Sequence, residues 1–168
     1  MKGFTPDLFD RLLGQPVRNG VAVARLSAEE LKDAVARDLE ALLNTRSTIQ
    51  DGALAVFPES AKSMVSYGLC DFADRSLSSP TDRAHICTCI ENAIERHEPR
   101  LQNVKAKLDV RHGAAPTVNR LDFSITAVLV ASVSQEPVNF DAVLQPSTLQ
   151  YSIRKASRAS AAVLAVGA

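Results

Sequence analysis

The hydrophobic period of this chain changes at Pro99, and that change constrains the fold more than any other feature. Upstream, Ile86, Ile90 and Ile94 recur every fourth residue, the spacing of one helix face. Ser79 can cap this helix, Pro80 suits its first position and Asp82 its positive end. Pro99 ends it, because the residue before a proline is pushed out of helical geometry. Downstream, Val104, Ala106, Leu108 and Val110 alternate with Asn103, Lys105, Lys107, Asp109 and Arg111, the pattern of a half-buried strand. The expected class is α+β, with a helical front half packed on one face of a small antiparallel sheet formed by the back half.

The remaining elements follow the same rules. Phe4, Leu8, Phe9, Leu12 and Leu13 predict a short amphipathic lead helix stopped by Gly14 and Pro16, and Asn19 to Arg25 reads as loop or brief strand. Ser27 and Glu30 form a capping box for a helix running to about Arg46. Its apolar face is Leu31, Val35, Leu39, Leu42 and Leu43, and the face opposite carries Glu29, Lys32, Asp33, Arg37 and Glu40. Pro58 opens a short helix predicted to end at Gly68. After a turn at Gly113 to Pro116, strands are predicted over Leu121 to Val133, from Val138 to Leu144 behind a Glu136-Pro137 turn, and over Thr148 to Arg154. Residues 1–154 thus read as a single domain, and the Ala- and Ser-rich stretch 155–168 as a weakly ordered tail.

Composition removes several function classes. Nineteen basic residues balance nineteen acidic ones, so no net charge attracts nucleic acid or anionic lipid. Met1 to Asp10 has no signal-peptide pattern and no stretch nears the roughly 20 apolar residues of a spanning helix, so a cytoplasmic location is expected. Cys70, Cys87 and Cys89, odd in number, are expected to be reduced.

Chemistry is thinly supplied. Glu91, Glu95 and Glu98 lie close enough in sequence to offer a glycosidase carboxylate pair, yet nothing marks the apolar pocket that would raise one pKa, and helix-surface glutamates usually serve solvation. The chain has no Trp and only Tyr67 and Tyr151, so aromatic platforms for sugars are scarce. Cys87 and Cys89 sit two apart on a helix and point to different sides, while His85 and Cys89 form an i, i+4 pair without third and fourth ligands. His97 and His112 have no nucleophile elbow nearby, and no phosphate loop occurs. No metal or cofactor is expected, and the residues offer no convincing catalytic pair.

Two segments carry a resemblance. Arg37-Asp38-Leu39-Glu40-Ala41-Leu42-Leu43-Asn44-Thr45-Arg46 and Ile94-Glu95-Arg96-His97-Glu98-Pro99-Arg100-Leu101 resemble the signature stretches of the TssE-type, lysozyme-like baseplate family of type VI secretion systems. Val65 to Leu69, Leu77 to Ser79 and Glu136 to Asp141 are similar to that family in matching order, while Gly14 to Arg25 matches poorly and the tail runs past the family's usual end. The resemblance implies a cytoplasmic, non-enzymatic wedge subunit at a baseplate docked to the inner membrane complex. It implies contacts with TssF-type and TssG-type wedge proteins, and with TssB/TssC-type sheath subunits by strand addition. Within it, Glu98, Pro99 and Arg100 are expected to form a partner-docking corner with both charges displayed. Arg37, Asp38, Leu39, Leu42, Asn44, Thr45 and Arg46 are expected to be a structural signature, with Arg46 at the C-terminal cap. The edge strand for the sheath is expected in Val138 to Leu144 or Thr148 to Arg154. The alternative is a peptidoglycan hydrolase using Glu91, Glu95 or Glu98.

Overall fold

The computed structural model describes Phe4, residues 17–18, 21–22, 26–49, 52–72, 74–76, 79–109, 121–131, 134–145 and 147–156. Most of the lead helix expected over Phe4 to Leu13, the turn at Gly113 to Pro116 and the tail beyond Ala156 lie outside them. Phe4 itself bridges antiparallel to Leu26, and a two-stranded ribbon pairs β1 (Val17–Arg18), which lies ahead of the expected Asn19 to Arg25 segment, with β2 (Val21–Ala22) within it.

Helix α1 spans Ala28–Asn44 and begins with the predicted capping box: Ser27 Oγ accepts from the Glu30 amide while Glu30 returns the bond to the Ser27 amide. Its buried face is Leu31, Ala34, Val35, Ala36, Leu39, Leu42 and Leu43. The helix stops two residues short of Arg46, because Thr45 turns extended and its carbonyl accepts from the Leu69 amide in a short parallel bridge. The segment predicted as a helix up to Gly68 holds only the single turn α2 (Pro58–Ala61) and a 3-10 turn over Met64–Ser66. Helix α3 spans Pro80–His97, capped by Ser79 and ended at Glu98.

The sheet is an antiparallel meander in the order β3 (Leu101–Asp109), β4 (Leu121–Ala131), β5 (Ser134–Gln145) and β6 (Gln150–Lys155). Its inward residues, including Val104, Phe123, Ile125, Phe140, Ala142, Tyr151 and Ile153, close one core with the buried faces of α1 and α3. The architecture is α+β, and the helices occupy one face: α3 runs along β3 and α1 along β6. The expected Glu136-Pro137 turn is corrected. Both residues lie inside β5, paired with Leu129 and Val128. β6 reaches only as far as the Lys155 and Phe140 pair, so Pro137 needs no amide on that side, the edge-like setting in which a strand tolerates proline. β6 begins two residues later than expected, because Leu149 takes a left-handed turn conformation (φ +55°), and it takes in Lys155 from the expected tail.

Candidate functional site

The two segments of the resemblance meet in space. Leaving α3, the Glu98 carboxylate accepts from the Arg100 amide (3.1 Å) and receives a two-pronged bond from the Arg100 guanidinium, Nε to Oε1 at 2.6 Å and Nη2 to Oε2 at 2.5 Å. The same Nη2 donates to Asp38 on α1. The Glu98 carbonyl accepts from Leu101 and the Arg100 carbonyl from Val130, tying the corner into the sheet. Burial would pull the Arg100 guanidinium down, but its bonds and attraction to Glu98, with Asp38 adding, hold it above its ordinary value. The expectation that both charges are displayed is corrected for Glu98, which is 4% exposed. Pro99 is exposed and Arg100 is partly so, so what the corner presents outward is a proline and the rim of an ion network.

Beside it, His97 Nε2 lies 3.0 Å from the Ser66 carbonyl and its ring packs edge-on against Tyr67. Burial pushes the His97 pKa below its ordinary value, with the Ser66 carbonyl opposing and Arg96 assisting. In the α1 stretch, Leu39 and Leu42 are core residues, and Thr45 Oγ1 donates to the Ala41 carbonyl. Arg46 braces the structure by another route than the expected cap: its guanidinium stacks on Phe72 (5.4 Å) and reaches the Leu149 carbonyl (3.4 Å). Gly68 lets the two chains approach, since a Cβ there would sit 2.7 Å from the Thr45 carbonyl oxygen, at φ +118°.

Sequence reasoning missed how the sheet edges are treated. Along edge strand β3 the Val104 amide donates to Glu95 (3.2 Å) and the Ala106 amide to Glu91 (2.8 Å), so two α3 residues four apart meet two alternate amides. Along edge strand β6 the Tyr151 amide donates to Asn44 Oδ1 (2.8 Å) and the Ile153 amide to Glu40 (2.8 Å), again four apart on a helix. The only advance signal is the i, i+4 spacing of polar residues on a helix that borders a strand. One correction follows, with one further assignment. Val138 to Leu144 is no edge, because β5 is flanked by β4 and β6. In β6 the outward amides belong to Tyr151 and Ile153, since Ala156 bonds back to Asn139 and the strand alternates.

For hydrolysis the same geometry is unhelpful. Glu91 and Glu95 hold backbone amides and Glu98 holds Arg100, so each has a structural task. Cys89 Sγ and His85 Nε2 stand 3.5 Å apart, but among the described residues no group of three or more His, Cys, Asp or Glu could hold a metal ion. None of the cysteines is in a disulfide, and burial raises the Cys87 thiol pKa. A cleft of about 270 Å³ is lined in part by Ser47, Cys70, Cys89, Asn92 and Arg96, and Val56, Phe57, Met64 and Val65 are exposed. Among the described residues no helix is long and apolar enough to cross a membrane.

Residues 29–133 match the family model described as "Baseplate wedge protein gp25". No curated protein matches the chain. A solved structure titled "The baseplate complex from the type VI secretion system" contains a chain that is 15% identical, with a TM-score of 0.43, covering 77% of this chain and 96% of that one, a likeness too distant to carry detail from one chain to the other.

Proposed function

We propose, on the premise that this chain belongs to the baseplate wedge protein gp25 family, that it is a non-enzymatic, structural subunit of a type VI secretion baseplate. It binds TssF-type and TssG-type wedge components and helps sheath polymerisation begin, on the cytoplasmic side of a baseplate docked to the inner membrane complex. The observation that carries this reading is the joining of the Arg37 to Arg46 and Ile94 to Leu101 segments by the Asp38, Arg100 and Glu98 network. A rigid corner with an exposed proline and a charged rim suits docking, because its shape is set before a partner arrives. Glu98 acts from beneath, positioning Arg100, while Pro99, Arg100 and Asp38 make the contact.

Co-purification tests it. The full chain, co-expressed with TssF-type and TssG-type proteins, is expected to be retained with them, and Asp38→Ala is expected to weaken retention while leaving the fold intact. Retention unaffected by Asp38→Ala and Pro99→Ala together would remove the corner from the interface. Release of soluble fragments from purified cell wall, lost in Glu91→Gln and Glu95→Gln, would restore the hydrolase alternative.

A further inference from the structure

The two sheet edges are closed in different ways. On β3 the closure is reinforced: the register slips between Gln102 and Lys105 around Asn103, which has φ +53°, and Lys105 adds an ion pair with Glu91 (3.7 Å). Such a bulge prevents a further strand from pairing in register. β6 has no register slip, and its pairs with β5 run evenly from Gln145 and Gln150 to Phe140 and Lys155.

What covers β6 has the shape of a strand residue. Asn44 Oδ1 accepts from the Tyr151 amide at 2.8 Å, and Asn44 Nδ2 donates to the Tyr151 carbonyl at 2.9 Å. A primary amide is a side-chain copy of a peptide group, and here it exchanges both bonds with one residue, as the facing residue of an antiparallel neighbour would. Glu40 takes the next outward amide, that of Ile153. Asn44 is exposed and Glu40 partly so, whereas Leu39, Leu42 and Leu43 beside them are buried. The two polar side chains thus lie on the accessible side of α1, apart from the buried residues that seat the helix on the core.

We propose that Asn44 and Glu40 are placeholders: they close β6 in the free chain, and an extended strand of a sheath subunit displaces them when it docks there. This rests on the sheath-starting reading above. The exchange replaces one hydrogen bond with another at Tyr151 and Ile153, so it needs little driving force from the incoming strand. It also keeps unbound chains from pairing edge to edge.

The test uses assembled baseplates carrying the full chain as wild type, as Asn44→Ala/Glu40→Ala, or with the β3 closure removed by Glu91→Ala/Glu95→Ala. Hydrogen exchange on the free chain is expected to be about tenfold faster at the Tyr151 and Ile153 amides of the first variant, the cost of losing one bond each. Sheath initiation, followed by light scattering after adding TssB/TssC-type subunits, is expected to be several-fold faster at equal incorporation. The β3 variant is expected to give no such acceleration. Faster exchange with unchanged or slower initiation overturns the placeholder role while leaving sheath docking intact. Wild-type baseplates that seed no sheath overturn the sheath reading, and this inference with it. Should the double variant fail to incorporate, Asn44→Asp serves, because it keeps the acceptor for the Tyr151 amide and loses the donor to its carbonyl. Its initiation is expected to be intermediate, and a wild-type rate overturns the proposal.

Discussion

Replacing Arg100 by alanine separates a bracing corner from a decorative one. The Glu98 side chain is 6% exposed and that of Arg100 22%, so the substitution leaves a buried carboxylate with only the backbone amide of residue 100 and removes both guanidinium bonds. Breaking a buried pair from one side costs about 3–5 kcal/mol, because the remaining charge is uncompensated. The opposite substitution, Glu98→Gln, leaves Arg100 with Asp38, whose side chain is 37% exposed, and is expected to cost about 1–3 kcal/mol. Arg100→Lys keeps the charge but loses the planar fork, and should fall between wild type and Arg100→Ala. Urea unfolding at neutral pH, read as a change of midpoint at constant slope, gives the three values. A cost below about 1 kcal/mol, the usual worth of an exposed pair, or a Glu98→Gln cost exceeding that of Arg100→Ala, would refute the reasoning.

Gly68→Ala is expected to destabilise by at least about 1–3 kcal/mol, since it joins an unfavourable φ to a collision with the Thr45 carbonyl, and the thermal midpoint reports it. Burial holds His97 below its ordinary pKa, so the unfolded chain takes up its proton first as pH falls. The His97 contribution is then complete above about pH 6.5 and is lost as pH drops from there toward the folded value, and His97→Gln should flatten that part of a stability-against-pH curve. The Tyr151 hydroxyl is buried and has no hydrogen-bond partner among the described residues, so Tyr151→Phe should be neutral or stabilising by up to about 1 kcal/mol in urea unfolding.

Elements set by local rules were legible before the structure. Ser27 with Glu30, Ser79 with Pro80, and the alternation after Pro99 each specify a cap or a period by residues within one turn or one strand. Three of the misreadings depend on what lies across space. Glu136 and Pro137 look like a turn, but β6 stops before reaching Pro137, so the missing amide costs nothing there. Arg46 looks like a cap, but Leu69 and Phe72 from another segment draw it out of the helix. Glu98 and Arg100 look like surface charges because no local signal announces Asp38, 62 positions away from Arg100. Of the candidate carboxylates, Glu91 and Glu95 are occupied by strand amides for the same reason.

The rungs between α3 and β3 form a vernier. Two strand residues advance about 6.8 Å while four helix residues advance about 6.0 Å, so the two scales slip by about 0.8 Å at each rung. The two rungs, at Glu91 and Glu95, carry one such slip, and each further rung would add another. A straight helix can thus silence only a short edge, and a longer β3 would leave amides bare however long α3 became. One residue inserted into α3 between Glu91 and Glu95 would turn the scale by about 100° and put the two rungs out of step at once. An insertion at the start of α3, ahead of the rungs, would leave them in step.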